Sequence, residues 1–151
     1  MGAVQRLLSN RSIDKDAGLL ILRLGIGMSL LLFHGWGKIS GGPDAWAGLG
    51  KYMGNLGINF APALWGFMAA FSEFFGSIFI ILGVFFRPAA ALLAFTMLVG
   101  MLRHLNLPVD APRSGWSGAS HALELFTVFV ALVYTGAGRY AISLPWDRRK
   151  D

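Results

Sequence analysis

Four long apolar runs constrain what this chain can fold into. They cover residues 17–36, 62–86, 88–105 and 119–138. Each is close to the ~20 residues that an α-helix needs to cross the ~30 Å hydrocarbon core of a bilayer. Charged residues make up only 14% of the chain and the mean hydropathy is +0.58, whereas a soluble domain carries about 25% charged residues. The sequence therefore predicts an all-α, integral membrane four-helix bundle, with residues 1–151 as one domain.

Glycine and proline mark the connections between the predicted spans. The first run ends in the glycines and proline of residues 37–43, and the third ends at Asn106 and Pro108. These breaks predict two long loops, at residues 37–61 and 106–118, and a tight turn around Arg87 between the second and third spans. Within the first loop, AWAGLGKYMGNLGI fits two structures. One is a short helix in the membrane interface, and the other is a loop that dips its aromatic side chains into the headgroups.

The distribution of Lys and Arg predicts the orientation of the chain. Eight basic residues lie on the side of the termini and four on the side of the long loops, with Arg23 inside the first span. The two groups are Arg6, Arg11, Lys15, Arg87, Arg139, Arg148, Arg149 and Lys150, and Lys38, Lys51, Arg103 and Arg113. The richer side is expected to be cytoplasmic. We therefore predict a multi-pass protein of the bacterial cytoplasmic (inner) membrane with both termini inside. The net charge of +5 is then an insertion signal, and we expect no nucleic-acid partner.

Polar side chains cluster at one depth of the predicted bundle. At 1.5 Å per residue, the three histidines fall in one layer near the extracytoplasmic ends of the spans. Two cations and a carboxylate share this layer. Its members are His34, Lys38, Arg103, His104, His121 and Glu124. Ionisable groups are costly inside a membrane and need a partner or a function, so this layer is the predicted site.

Helical spacing predicts which side chains share a face. One stripe of the first span contains Arg23, Gly27, Leu30, His34 and Lys38. A small-residue stripe of the second span contains Gly66, Ala70, Glu73, Gly76 and Ser77, which is typical of a close contact between helices. Glu73 falls near the midplane, and we expect it to pair with Arg23 inside the bundle. The alternative is that Arg23 extends its guanidinium to the inner headgroups.

Three ligand chemistries fit the polar layer. Two of the histidines would suffice to hold one b-type haem, and His121, Glu124 and another histidine match a two-His, one-carboxylate metal site. The third is a quinone or phenol, which histidine can serve as a hydrogen-bond donor and proton source. We favour the quinone.

The candidate catalytic residues are His34, Glu73, His104, His121 and Glu124, and the candidate cofactor-binding residues are Arg23, His34, Lys38, Arg103 and Trp36, with no metal ligand assigned. The aromatic residues available along a quinone are Phe33, Trp36, Trp65, Phe71, Phe74 and Phe75. For most of them we expect lipid contact and packing within the bundle instead.

Three motifs give the chain a family resemblance. They are R-x10-H-G-W-G-K from Arg23 to Lys38, S-E-F-F-G-S-x4-L-G-V-F-F-R-P-A-A over residues 72–90, and T-G-A-G-R-Y over residues 135–140, followed by Ser143. Together they resemble the DoxX family of small four-helix bacterial membrane proteins, from about residue 23 to residue 143. The usual Gly-Pro-Gly of the last motif is Gly-Ala-Gly here.

The resemblance implies membrane redox work. Members of the family are linked to thiosulfate:quinone oxidoreductase, to complexes that respond to thiol or oxidative stress, and to resistance to catechols and quinones. Chemistry that depends on cysteine cannot be transferred, because this chain has none. We expect a quinone-linked oxidoreductase or a subunit of one, with a redox partner subunit or a second copy as its partner in the bilayer. Two alternatives stay open: a structural or assembly subunit whose small-residue stripe binds a partner helix, and a transporter of small solutes.

Overall fold

The computed structural model describes residue 9 and residues 12–142 of the chain. Within them, four helices are long and apolar enough to cross a membrane: α1 (Lys15–Ile39), α3 (Pro62–Leu82), α4 (Phe86–Leu105) and α5 (Gly115–Thr135). A shorter helix, α2 (Gly42–Gly50), continues into a 3-10 helix at Lys51–Leu56. No strand occurs among the described residues. The predicted all-α, four-helix membrane fold is confirmed.

The helix ends follow local sequence signals. Asp14 caps α1, because its side chain accepts hydrogen bonds from the N–H groups of Asp16 and Ala17, both at 3.0 Å. Pro62 and Pro88 lie in the first turns of α3 and α4, where proline is tolerated. Gly83 ends α3 at a φ of 77°, the left-handed conformation that glycine adopts most easily. As a result α3 ends four residues before the predicted boundary at residue 86.

The first predicted loop contains a packed helix. α2 lies against α3 so closely that a Cβ added to Gly66 would overlap the backbone of Trp46, and one added to Gly50 would overlap the backbone of Pro62. The Trp46 ring also meets Phe67 edge-on, at 5.0 Å between centroids. Of the two structures that the sequence left open for this loop, the helix is present, and it is packed on the protein.

The small-residue stripe of α3 is used inside the chain. Gly66 and Ala70 are buried, and Gly76 packs beside the side chain of Leu93. The expectation that this stripe binds a partner helix in an assembly subunit is therefore wrong, because α2 and α4 already cover it.

Two π-helical turns face each other between α1 and α3. They cover Leu31–Gly35 and Ser72–Gly76. A Cβ on Gly35 would lie 2.7 Å from the backbone O of Glu73, so glycine permits the close approach. A π turn contains one extra residue and rotates the helix beyond it. The buried stripe of α1 therefore runs through Arg23, Gly27, Leu30 and Gly35, not through His34 as predicted.

The apolar core fills the half of the bundle nearest the termini. Its buried residues come from all four long helices, and include Leu30, Ile80, Leu93 and Phe129. Extensive contacts join α1 to α3, α3 to α4, and α4 to α5, whereas α1 and α5 share no such interface. The half nearest the two long connections, called here the loop end, encloses the cavity described next. Which end faces the cytoplasm remains a prediction, and Arg6, Arg11, Arg148, Arg149 and Lys150 lie outside the described residues.

Candidate functional site

A cavity of about 590 Å³ lies at the loop end. α1, α3, α4 and α5 form its walls, and the segment from α2 to the 3-10 helix covers it with Leu49, Gly50, Tyr52 and Met53. Most of the lining is apolar. The polar lining side chains are His34, Lys38, Tyr52, Trp65, Glu73, Thr96, Arg103, His104, Arg113, Ser117 and His121.

Lys38 and Glu73 form the ion pair of the cavity. Lys38 Nζ lies 2.5 and 2.6 Å from the two carboxylate oxygens of Glu73. Glu73 is 3% exposed and the Lys38 side chain 33% exposed. The facing π turns bring this pair together, since Glu73 lies within one turn and Lys38 follows the other by three residues. The pair places the ammonium of Lys38, a hydrogen-bond donor, beside the carboxylate of Glu73, an acceptor. The attraction between opposite charges strengthens these hydrogen bonds.

Arg23 does not pair with Glu73, and that prediction is wrong. Its Nε donates to the backbone O of Ile80 at 2.9 Å and its NH2 to that of Ile81 at 2.8 Å. Its NH1 donates to the backbone O atoms of Ala137 and Tyr140, at 2.7 and 3.2 Å. Glu73 precedes Ile80 by seven residues, about 10 Å along the helix, and so lies beyond the guanidinium.

Arg23 instead holds together the end of the bundle nearest the termini. The last carbonyls of a helix have no partner within it, and the 1% exposed guanidinium satisfies two of them at the end of α3. A Cβ on Gly83 would lie 2.8 Å from Arg23 NH2, so this glycine leaves room for the side chain. The three motifs of the family resemblance therefore meet at Arg23. Ser143 lies outside the described residues.

Two histidines face each other where α1 and α5 are not packed together. The ring centroids of His34 and His121 are 6.4 Å apart, and both residues are exposed on the protein surface while also lining the cavity. The third histidine, His104, is held by a 2.9 Å hydrogen bond between its Nδ1 and the backbone O of Arg113. The cavity lining thus reaches the protein surface at these two imidazoles, one on α1 and one on α5.

Arg103 and Trp65 bring hydrogen-bond donors to the cavity. The guanidinium carbon of Arg103 lies 4.4 Å from the centre of the Tyr52 ring. Arg103 Nε and Trp65 Nε1 are both buried and make no hydrogen bond within the described part of the chain. Buried donors are rarely left without a partner, so these two are available to a ligand.

Three of the predicted site residues lie outside the cavity lining. Arg23 is at the opposite end of the bundle. Glu124 is 73% exposed and approaches His121 only to 4.0 Å. Trp36 is 63% exposed, and its ring lies tilted against that of Phe74 with 5.9 Å between centroids. The structure brings His34, Lys38, Glu73, Arg103, His104 and His121 together around the cavity.

The expectation that most of the six aromatic side chains serve packing or lipid contact agrees with the cavity lining, which contains one of them. Trp65 lines the cavity, whereas Phe33, Trp36, Phe71, Phe74 and Phe75 do not. Along α3 the Phe75 ring packs against a tilted Phe71 ring and meets the Phe74 ring edge-on. Sequence reasoning also missed Tyr52 as a site residue. Its position in the sequence was a usable signal, because Tyr52 lies in the loop-end layer that contains Arg103.

The side chains of the cavity do not form a metal centre. Across residues 12–142, no group of three or more His, Asp or Glu side chains has the arrangement needed to hold a metal ion. The set of His121, Glu124 and a second histidine is not assembled. The site is instead an apolar cavity with a few converging donors and one ion pair, as is typical of small-molecule sites.

The fold and the site define a helical membrane protein with a ligand-sized cavity at one end of its bundle. The family model described as DoxX matches residues 18–104, more than half of the chain, and the protein belongs to the DoxX family. No curated protein and no solved structure matches the chain.

Proposed function

We propose that this protein binds a quinone or a related phenol in the loop-end cavity, as a quinone-linked redox protein or a subunit of one. The observation that carries the proposal is the composition of the cavity. Apolar walls surround about 590 Å³ of space, within the ~300–1,000 Å³ usual for small-molecule sites. The unpartnered donors of Arg103 and Trp65 and the Lys38–Glu73 pair suit the two oxygens of a quinone ring.

The cavity residues have separate roles in this proposal. Lys38 and Arg103 hold the oxygens of the ring, and Trp65 donates a further hydrogen bond. His34 and His121 supply or accept protons where the cavity lining reaches the protein surface, because an imidazole has both a donor and an acceptor nitrogen. A redox partner subunit in the bilayer exchanges electrons with the bound ring, whereas a second copy of this chain could only be a structural partner. The ligand enters from the bilayer between α1 and α5, because those two helices share no extensive interface.

The proposed location follows the charge distribution of the sequence. Both termini are cytoplasmic and the cavity lies at the extracytoplasmic face of a bacterial inner membrane, in accord with the excess of Lys and Arg on the side of the termini.

The first test is organic extraction and mass spectrometry of the protein purified in detergent, together with titration by decylbenzoquinone. Quinones quench tryptophan fluorescence, and Trp65 lines the cavity. We expect saturable quenching that is largely lost in Trp65→Phe and retained in the control Trp116→Phe, whose parent residue is 63% exposed and outside the cavity lining. Quenching that does not saturate, or that is the same in both variants, together with extracts free of quinone, would refute the proposal.

A further inference from the structure

Arg103 is a cation of the cavity without an anionic partner. Within the described residues, the ion pairs are Lys38–Glu73, His121–Glu124, and Arg139 with Asp14 and Asp16. The one carboxylate that lines the cavity, Glu73, is occupied by Lys38. Arg103 therefore lies over the Tyr52 ring with its charge uncompensated by any described carboxylate.

The position of Arg103 is fixed by its contact with Tyr52. A guanidinium over an aromatic face is attracted by the ring quadrupole, and the 4.4 Å separation holds Arg103 against the segment that covers the cavity. Its buried Nε has no acceptor. A long side chain in a membrane usually extends its charge to the headgroups, whereas this one presents donors to an enclosed space.

The cavity lining leaves one cation without a counter-charge. Its charged and titratable residues come from every wall and from the cover: Lys38 and His34 from α1, Tyr52 from the 3-10 helix, Glu73 from α3, Arg103 and His104 from α4, Arg113 from the loop that follows, and His121 from α5. Lys38 and Glu73 offset one another, and Arg113 is exposed, with its backbone O hydrogen-bonded to His104. Arg103 remains, and an opposite charge nearby favours the ionised form of a bound acid.

We propose that the cavity selects the anionic form of its ligand, with Arg103 as the counter-ion and Trp65 Nε1 as a second donor to the same charged oxygen. The ligand class is an amphiphile whose apolar body carries an ionised phenol or a carboxylate. This inference rests on the proposed function, because it assigns the ligand class of the same cavity. In this proposal Arg103 is the residue that makes the cavity bind the ionised ligand more tightly than the neutral one.

The test uses an alkyl nitrophenol, because its ionised form absorbs visible light and reports its own pKa when bound. The full-length protein in detergent is compared with detergent alone. We expect the pKa of the bound phenol to fall by about one to two pH units, the effect of an opposite charge within ~4–6 Å. Arg103→Gln should abolish this fall and Arg103→Lys should restore part of it. Arg87→Gln, at the other end of the bundle, should leave it unchanged.

A second measurement keeps the inference testable if Arg103→Gln does not fold. The methyl ether of the same phenol has no ionisable oxygen, and we expect it to bind at least about tenfold more weakly, which corresponds to ~1.4 kcal/mol. Trp65→Phe should reduce this preference, and the control Trp116→Phe, outside the cavity lining, should leave it unchanged.

The outcomes separate this inference from the proposed function. Equal binding of phenol and ether, or the same ionisation in wild type and Arg103→Gln, would overturn the selection of anions, even if decylbenzoquinone still binds. Absence of saturable binding by decylbenzoquinone, phenol and ether alike would overturn the ligand site itself.

Discussion

Lys38 and Glu73 form an ion pair across two facing π-helical turns, with Nζ–O distances of 2.5 and 2.6 Å. Gly35 makes this pairing geometrically possible, because its lack of a side chain lets α1 approach the backbone of Glu73. The pair therefore links the closest contact between two spans to the polar side of the cavity. Its members have different exposures, 33% for Lys38 and 3% for Glu73, and this difference determines what each substitution is expected to do.

Removing one member of the pair should destabilise the protein more than removing both. Glu73→Gln leaves the Lys38 charge unpaired, and breaking a buried pair costs ~3–5 kcal/mol. Because Lys38 is one-third exposed, we expect the lower end of that range, about 3 kcal/mol. The double variant Lys38→Met, Glu73→Met should unfold at a temperature close to that of the wild type. Thermal unfolding in detergent, with Glu124→Gln as the exposed control, measures both. A double variant less stable than Glu73→Gln would contradict this prediction.

Alanine at Gly35 should separate α1 from α3. Its Cβ would lie 2.7 Å from the O of Glu73, and overpacking of this kind costs ~1–3 kcal/mol. Gly37 provides the matched control in the same helix, because a Cβ there has nothing within 4 Å. Gly37→Ala should be neutral or stabilising by up to about 1 kcal/mol, since alanine favours the helix. The comparison is made by thermal unfolding. Equal destabilisation of the two variants would show that the close contact at Gly35 does not determine the effect of the added methyl group.

Arg23→Lys should be nearly as destabilising as Arg23→Gln. The guanidinium donates to carbonyls of both α3 and the segment after α5, and one ammonium group cannot reproduce that fork. Loss of these charge-assisted bonds is expected to cost about 3 kcal/mol or more. The exposed Arg87 makes one 3.1 Å bond to the backbone O of Val133, and Arg87→Gln should cost ~1 kcal/mol or less. If Arg23→Lys unfolds at the wild-type temperature, the hydrogen bonds of the guanidinium are not what holds α3 to the segment after α5.

The fold and the depth of the site could be predicted from the sequence, but the pairing of its charges could not. Apolar length and the 1.5 Å rise of a helix placed His34, Lys38, Arg103, His104 and His121 in one layer. Neither quantity reports how a helix is rotated about its axis, and the two π turns change that rotation midway along α1 and α3. Depth alone therefore predicts a pairing of Arg23 with Glu73, whereas the acceptors that Arg23 reaches are the open carbonyls at the end of α3.

The acid sensitivity of the α1 N-terminus should depend on Asp14. The N–H of Ala17 holds the pKa of Asp14 below its ordinary value of 3.8, against an opposing effect of desolvation, and the Arg139 charge and the N–H of Asp16 lower this pKa further. A carboxyl whose pKa is lowered by folding stabilises the protein above its ordinary pKa, and this contribution is lost as the pH falls through the lowered value. Asp14→Asn should therefore lower the unfolding temperature at neutral pH, and the difference from wild type should vanish as the pH falls through the lowered pKa of Asp14. A difference that persists in acid would assign the effect to packing.

Closing the gap between His34 and His121 should block entry of a ligand dissolved in the bilayer. The ring centroids are 6.4 Å apart, and the chain has no cysteine, so the double variant His34→Cys, His121→Cys contains the only two thiols. A short bis-methanethiosulfonate reagent links them reversibly. In liposomes, we expect the link to slow quenching of Trp65 by decylbenzoquinone, and reduction to restore the rate. Each single-cysteine variant, treated in the same way, controls for the bulk of the reagent. Because the two measurements use the same protein before and after reduction, loss of the histidines cancels from the comparison. A rate that does not depend on the link would mean that the ligand enters from the loop end, past Tyr52 and Arg103.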